Sequence, residues 1–169
     1  MTTKKPELLI RELLTCSIIM EKNVAELFFE LHRKTRDPVI KLLFKTIALE
    51  SSNHASILED IADTYGLKQE GVDCREYHGE QCIIIESVLN QLKNTSEVSL
   101  EELKIILEKL VILENFIAEE TYHKLLLPLV IDLLPNNTDL IVQLINKIVV
   151  DEEFHEKTIK SILGRIKSQ

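Results

Sequence analysis

In four stretches of the chain apolar residues recur at spacings of three and four, the period of a helix with one buried stripe. Local signals divide these stretches into elements. Pro6 suits the first helical position and opens a helix over 6–34. Thr35-Arg36-Asp37-Pro38 forms a turn in which Asp37 caps, and Pro38 begins, a second helix over 38–65 that stops at Tyr65-Gly66. The pattern loosens from 66 to 94, where 81–93 predicts one short amphipathic helix. Ser99 and Glu102 make a capping box for a third long helix over 99–134, kinked at Pro128 and broken by Pro135-Asn136-Asn137. A fourth covers 138–166.

Short turns join the first helix to the second and the third to the fourth, so each pair predicts an antiparallel hairpin. The second and third are joined by one long crossover. A growth-hormone-like bundle would need two such crossovers. The hairpins also suggest an internal repeat: an offset of 101 sets His54 on His155, Ile40 on Ile141, Ile47 on Ile148 and Ile61 on Ile162.

Candidate chemistry emerges from the polar residues that interrupt the apolar stripes. On the fourth helix the stripe is isoleucine from Ile141 to Ile166 except at Glu152 and His155. On the second, the walk Leu43, Ile47, Glu50, His54, Ile57, Ile61 is interrupted by Glu50 and His54. The first contributes Glu21 among Leu14, Ile18, Ala25 and Phe28. The third has a broad apolar face. Glu114 falls on the line Leu110–Ile117–Thr121, Glu120 on the line Leu113–Ile117, and Glu119 is a third choice. Buried carboxylates are costly and repel one another unless a cation joins them. Carboxylate oxygen and imidazole nitrogen suit iron or manganese, and a Glu-x-x-His spacing puts both side chains on one helix face.

Composition narrows the functional classes. The 169 residues suit a single domain over 1–169 with a real core. With 45% hydrophobic and 28% charged residues but only four Gly and four Pro, long helices are favoured over a sandwich or barrel. A net charge of −8, 5% aromatics and no Trp argue against a nucleic-acid partner. The opening stretch Met1–Pro6 is too short and polar for a signal peptide, and no apolar run reaches a membrane span. Cys16, Cys74 and Cys82 are an odd, sparse set that fits a reducing compartment better than a disulfide framework. A cytoplasmic location is therefore expected.

The chain resembles the ferritin-like superfamily and, within it, the rubrerythrin-like branch. The residues that carry the likeness are Glu21 in IIMEKNVAELFFEL, His54 in IALESSNHASIL, Glu120 or its neighbours in LENFIAEETYHKLL, and Glu152 and His155 in IVVDEEFHEKTI. The resemblance implies an all-α, antiparallel four-helix bundle with one long crossover and a short extra helix. It also implies two iron or manganese ions that react with peroxide or dioxygen, or handle ferrous iron. The ligands it implies are Glu21, Glu50, His54, Glu120, Glu152 and His155, with Glu114, Glu119 and His123 as alternatives. A homodimer follows by analogy.

Two features depart from the family pattern. Ser51 occupies the position three residues before His54 where the pattern has glutamate, with Glu50 next to it as the substitute. That departure leaves a single ion, or zinc, as alternatives to the pair. The paired C-x-x-C motifs of a rubredoxin-like module are missing, so electrons would come from a separate donor protein or from the iron itself. Cys74, His78 and Cys82, spaced by four, make only a partial zinc or redox set. The function expected is peroxidase- or ferroxidase-type chemistry. The rival is a bundle with a degenerate site that serves as a scaffold.

Overall fold

The computed structural model describes residues 5–134 and 138–168. All regular elements among them are helical: α1 (Pro6–Lys34), α2 (Pro38–Thr64), α3 (Arg75–Lys93), α4 (Leu100–Phe116), a π-helical segment (Ile117–Leu126), α5 (Leu127–Leu133) and α6 (Thr138–Lys167). Helices α1 and α2 pair as one hairpin, and α4, the π segment and α5 together pair with α6 as the other. The crossover between the hairpins carries α3, which packs mainly on α1. This is the four-helix bundle with one long crossover that the pattern predicts. Among the described residues no helix is long and apolar enough to cross a membrane.

The helix ends follow local chemistry. The Asp37 carboxylate accepts hydrogen bonds from the backbone N–H groups of Val39 (2.8 Å) and Ile40 (3.0 Å), satisfying donors the helix cannot. α2 ends in a Schellman motif: Leu67 N–H donates to Ala62 O at 2.7 Å and Gly66 N–H to Asp63 O at 3.2 Å. Gly66 takes a positive φ of 62°, which a residue without Cβ adopts at no steric cost. The capping box of Ser99 and Glu102 is present at the start of α4. Pro135-Asn136-Asn137, the predicted break before α6, lies outside the described residues.

Two expected elements are corrected. The short helix begins at Arg75 rather than 81, although His78 inside it has non-helical angles (φ −130°, ψ 37°). That local break, beside Gly79, is what loosens the apolar period there. The third long helix is not one α-helix. It widens into a π segment ahead of Pro128, and Leu127 N–H reaches five residues back to Tyr122 O. Pro128 has no N–H to donate and crowds the carbonyl four residues before it, so a wide turn relieves the clash at that end.

The core runs the length of the bundle, from Ile10, Leu14, Phe28 and Leu31 on α1 to Ile145, Ile148, Ile159 and Ile162 on α6. Phe28 and Phe44 meet with ring centroids 5.8 Å apart. Each such side chain contributes roughly 1.5–3 kcal/mol by leaving water. The buried seam of α2 runs through Ile40, Phe44, Ile47, Ser51, His54, Leu58 and Ile61. The sequence walk through Leu43, Glu50 and Ile57 shares Ile47, His54 and Ile61 with it but drifts one residue aside between them.

The crossover is tied to α1 at both ends. At its far end Val98 N–H donates to Lys34 O (3.0 Å) and Lys34 Nζ to Thr95 O (2.7 Å). Near its start Cys74 forms a disulfide with the fully buried Cys16. This corrects the expectation that the cysteines are unpaired, because the fold brings together two residues 58 apart in sequence. Cys74 is thereby withdrawn from any site with His78 and Cys82, and Cys82 keeps a free thiol. His78 is fully buried and neither ring nitrogen has a hydrogen-bond partner. Burial lowers its pKa from 6.5 to about 4.

Two outcomes follow from the crossover. In denaturant, iodoacetamide should label one cysteine per chain before reduction and three after it, as read by mass spectrometry. Reduction should also cost up to about 4 kcal/mol in urea unfolding, the chain-entropy value for a loop of this size. His78 should make the protein acid-sensitive. Below pH 6.5 the unfolded chain binds a proton that the folded chain refuses until about pH 4. Stability should therefore fall with pH through that window, by at most roughly 1.4 kcal/mol per pH unit. Urea unfolding of His78→Leu should show a shallower slope than wild type between those values and the same slope above them.

Candidate metal centre

Midway along the bundle, α1, α2, α4 and α6 each send ionisable side chains into the interior. Glu21, His54, Glu114, Glu152 and His155 are 0–2% exposed. They form two groups that share one member. Glu21, His54 and Glu152 offer ligand atoms within 4.8 Å of one another, and so do Glu114, Glu152 and His155. Glu152 Oε1 lies 2.9 Å from His54 Nδ1 and 3.4 Å from His155 Nδ1, so this one carboxylate stands between both imidazoles. Glu21 Oε2 is 3.6 Å from His54 Nδ1, and Glu114 Oε2 is 3.8 Å from His155 Nδ1. The rings lie 5.9 Å apart and roughly parallel, 28° between planes.

The outer nitrogens are held by carboxylates from the facing helix. His54 Nε2 lies 3.1 Å from Asp151 Oδ2, and His155 Nε2 lies 2.9 Å from Glu50 Oε2. An ionised carboxylate only accepts, so each Nε2 carries the proton and donates. In the neutral imidazole that leaves the Nδ1 lone pair facing the centre, the arrangement that orients a metal-binding histidine. The Tyr122 hydroxyl donates to Glu21 Oε1 and fixes that carboxylate from the π segment.

The inward-facing atoms are short of partners. Glu21 Oε2, both oxygens of Glu114 and of Glu152, and Nδ1 of His54 and His155 are all buried without a hydrogen bond. The ion-pair distances above are close, but they are not aligned as hydrogen bonds. The electrostatics express this crowding. Burial, reinforced by the charge of Glu152, pushes the Glu21 carboxyl up to about 7. Glu114 is raised well above the ordinary carboxylate value by the same two causes. Burial would lower both histidines, but the carboxylates outweigh it and raise His54 to about 10 and His155 to about 11. Glu152 is also penalised by burial, yet the two imidazoles beside it hold its pKa below the ordinary range. Without a cation, this set of three carboxylates and two imidazoles balances its charge by taking up protons, on both imidazoles and toward the neutral acids of Glu21 and Glu114.

The structure gathers Glu21, His54, Glu152 and His155, as the stripe analysis expects. From the third helix it brings in Glu114 and not Glu120. Glu114 sits with Leu110, Ile117 and Thr121, all fully buried, whereas Glu120 is on the flank and pairs with Lys124 Nζ at 2.6 Å. Glu119 and His123 are also on the outside, 3.6 Å from each other. Glu50 is 36% exposed and braces His155 from outside the group rather than joining it. Asp151 escaped the sequence reading. The offset of 101 carried its signal, since it sets Asp151 on Glu50 just as it sets His155 on His54.

The sequence matches the family model described as Rubrerythrin over residues 12–163. No curated protein and no solved structure matches.

Proposed function

The chain belongs to the rubrerythrin family, and from that membership together with the site we propose a di-iron or di-manganese protein that acts on peroxide or dioxygen or oxidises ferrous iron. What carries the reading is the set of orphaned donors inside the bundle, seven buried oxygen and nitrogen atoms that aim at one another with no hydrogen bonds. A buried polar atom without a partner costs on the order of 1–3 kcal/mol. Divalent cations remove that cost for the whole set at once, and carboxylate with imidazole is a suitable donor set for iron or manganese.

Each residue has a role in this proposal. Glu21 and His54 would hold one ion and Glu114 and His155 the other, with Glu152, common to both groups, available to either. Asp151 and Glu50 keep the imidazole tautomers that present Nδ1 inward. Tyr122 orients Glu21, and the surrounding Leu and Ile side chains keep bulk water out. The bound ions would supply one-electron exchange and open positions for an oxygen-containing substrate. A separate electron-donor protein and a homodimeric assembly complete the proposal. Ser51 favours the rival reading, a scaffold with a degenerate site, and metal uptake separates the two.

Reconstituted under anaerobic conditions, the protein should bind two ferrous or manganous ions per chain by elemental analysis. At a hundredfold excess of metal over the dissociation constant, binding should add about 2.7 kcal/mol of stability for each ion bound, and a chelator should reverse it. Glu152→Ala should weaken uptake of both ions, while Glu120→Gln should leave uptake unchanged. Iron-loaded protein should consume peroxide faster than the same protein stripped of metal. Failure to retain any ion after reconstitution would sink the proposal and leave the scaffold.

A further inference from the structure

The repeat at an offset of 101 reaches beyond the interior. Each of α2 and α6 carries a second stripe at spacings of three and four, which makes its members neighbours on one helix face. The stripe takes positions 39, 42, 46, 49 and 53 on α2 and 140, 143, 147, 150 and 154 on α6, the same five under the offset. Leu49, Asn53, Val150 and Phe154 each directly precede a member of the outer pairs Glu50–His155 and His54–Asp151. All ten positions are exposed, so the two stripes run side by side on the outer side of the α2–α6 contact. Six are large and apolar: Val39, Leu42, Leu49, Leu140, Val150 and Phe154, each 49–63% exposed.

A single exposed leucine carries no information, but a contiguous apolar patch does. On other faces such side chains are scattered: Ile19 on α1, Ile83 on α3, and Ile105 and Ile112 on α4 with the exposed Glu108 between them. The six side chains of the α2–α6 face expose on the order of 600 Å², and with a polar rim the patch reaches the roughly 800 Å² per partner of a standard interface. Charge selects the partner. With a net charge of −8, the chain is repelled by an anionic lipid surface, and by a second copy except across a neutral face. This face is neutral. Thr46, Asn53 and Gln143 are uncharged, Lys147 pairs with Asp151, and Glu50 is held by His155. One acid, Asp60, and one base, Arg165, stand toward its two ends. An isologous contact sets one patch against its own copy, so apolar surface meets an equal apolar surface.

Deepening the homodimeric assembly of the proposed function, and resting on it, we infer that two copies of this chain pair through the outer face of α2 and α6. The contact lies over the two outer ion pairs. In one copy alone the side chains of Glu50 and Asp151 are 36% and 18% exposed. Pairing removes their water, and their hydrogen bonds to Nε2 of His155 and His54 strengthen as the local dielectric falls. Each copy thereby steadies the imidazole pair of the other.

Sedimentation equilibrium of the whole chain, from about 1 to about 100 μM, tests this. Wild type should be a dimer in the upper part of that range. Leu49→Glu combined with Phe154→Glu should weaken pairing at least about a hundredfold, the scale of losing central anchors. Ile112→Glu on α4 should leave it unchanged. Should the double glutamate variant lose its helical circular dichroism, Leu49→Ser with Phe154→Ser carries the same expectation. In proton NMR the imidazole Nε2–H of the dimer should exchange with water more slowly than that of the monomeric variant; equal exchange overturns the link to the site. A dimer that survives both double substitutions overturns the inference and leaves the homodimer on some other face. A wild type that is monomeric at the top of the range overturns the inference and the homodimer together. Co-sedimentation of that monomer with anionic lipid vesicles would instead give the face to a membrane. Metal uptake by the same samples bears on the di-metal reading alone, so the two failures are told apart.

Discussion

Glu152 stands between two imidazoles, and the arrangement of the whole bundle can be read from that contact. A carboxylate inside a hydrocarbon interior is tolerable only beside positive charge. The two nearest positive groups, His54 and His155, come from different hairpins. To bring them together, α2 and α6 must pack antiparallel at a register that places His54 opposite Asp151 and Glu50 opposite His155. Those two outer ion pairs brace the hairpins across the same gap. Glu21 and Glu114, arriving from the other two helices, then overfill the site with negative charge. The result is a bundle whose centre is saturated with ligand atoms, while its two ends are ordinary Leu and Ile packing.

How far this was legible in the sequence depended on range. Helix ends governed by residues two to five apart were plain: the Asp37 cap, the Schellman turn at Gly66, and the box of Ser99 with Glu102. The inward Glu and His of α6 were equally plain, because isoleucine at nearly every other stripe position left no doubt about the buried face. α2 was harder. Glu50 and Ser51 both border the stripe, and only packing decides that Ser51 is inside and Glu50 at the rim. α4 was harder still, since its apolar face is broad and the π segment changes the angular step between Glu114 and Glu120. The disulfide could not be read at all. It depends on where the crossover lands on α1, and no local pattern encodes that.

The crossover also explains why an irregular segment is anchored so firmly. α1 supplies Glu21, and the same helix carries Cys16 in its buried face and Lys34 at its end. The disulfide and the contacts of Lys34 with the 92–98 stretch fix the crossover along α1 on either side of Glu21. A carboxylate with a raised pKa and a single hydrogen bond, from Tyr122, is poorly held by its own neighbours. Rigid support for the helix that carries it compensates.

Between α2 and α6 the site is symmetric except where the offset of 101 sets Ser51 on Glu152, and the symmetry and the exception have different physical origins. Symmetry in the outer ion pairs is enforced by electrostatics: each imidazole needs an acceptor for Nε2–H, and the facing helix provides one in both halves. No such requirement acts on the position opposite Glu152. A second inward carboxylate there would add a fourth negative charge to a centre in which Glu21 and Glu114 already take up protons far above the ordinary carboxylate range. Serine, fully buried at that position, spares the fold that charge.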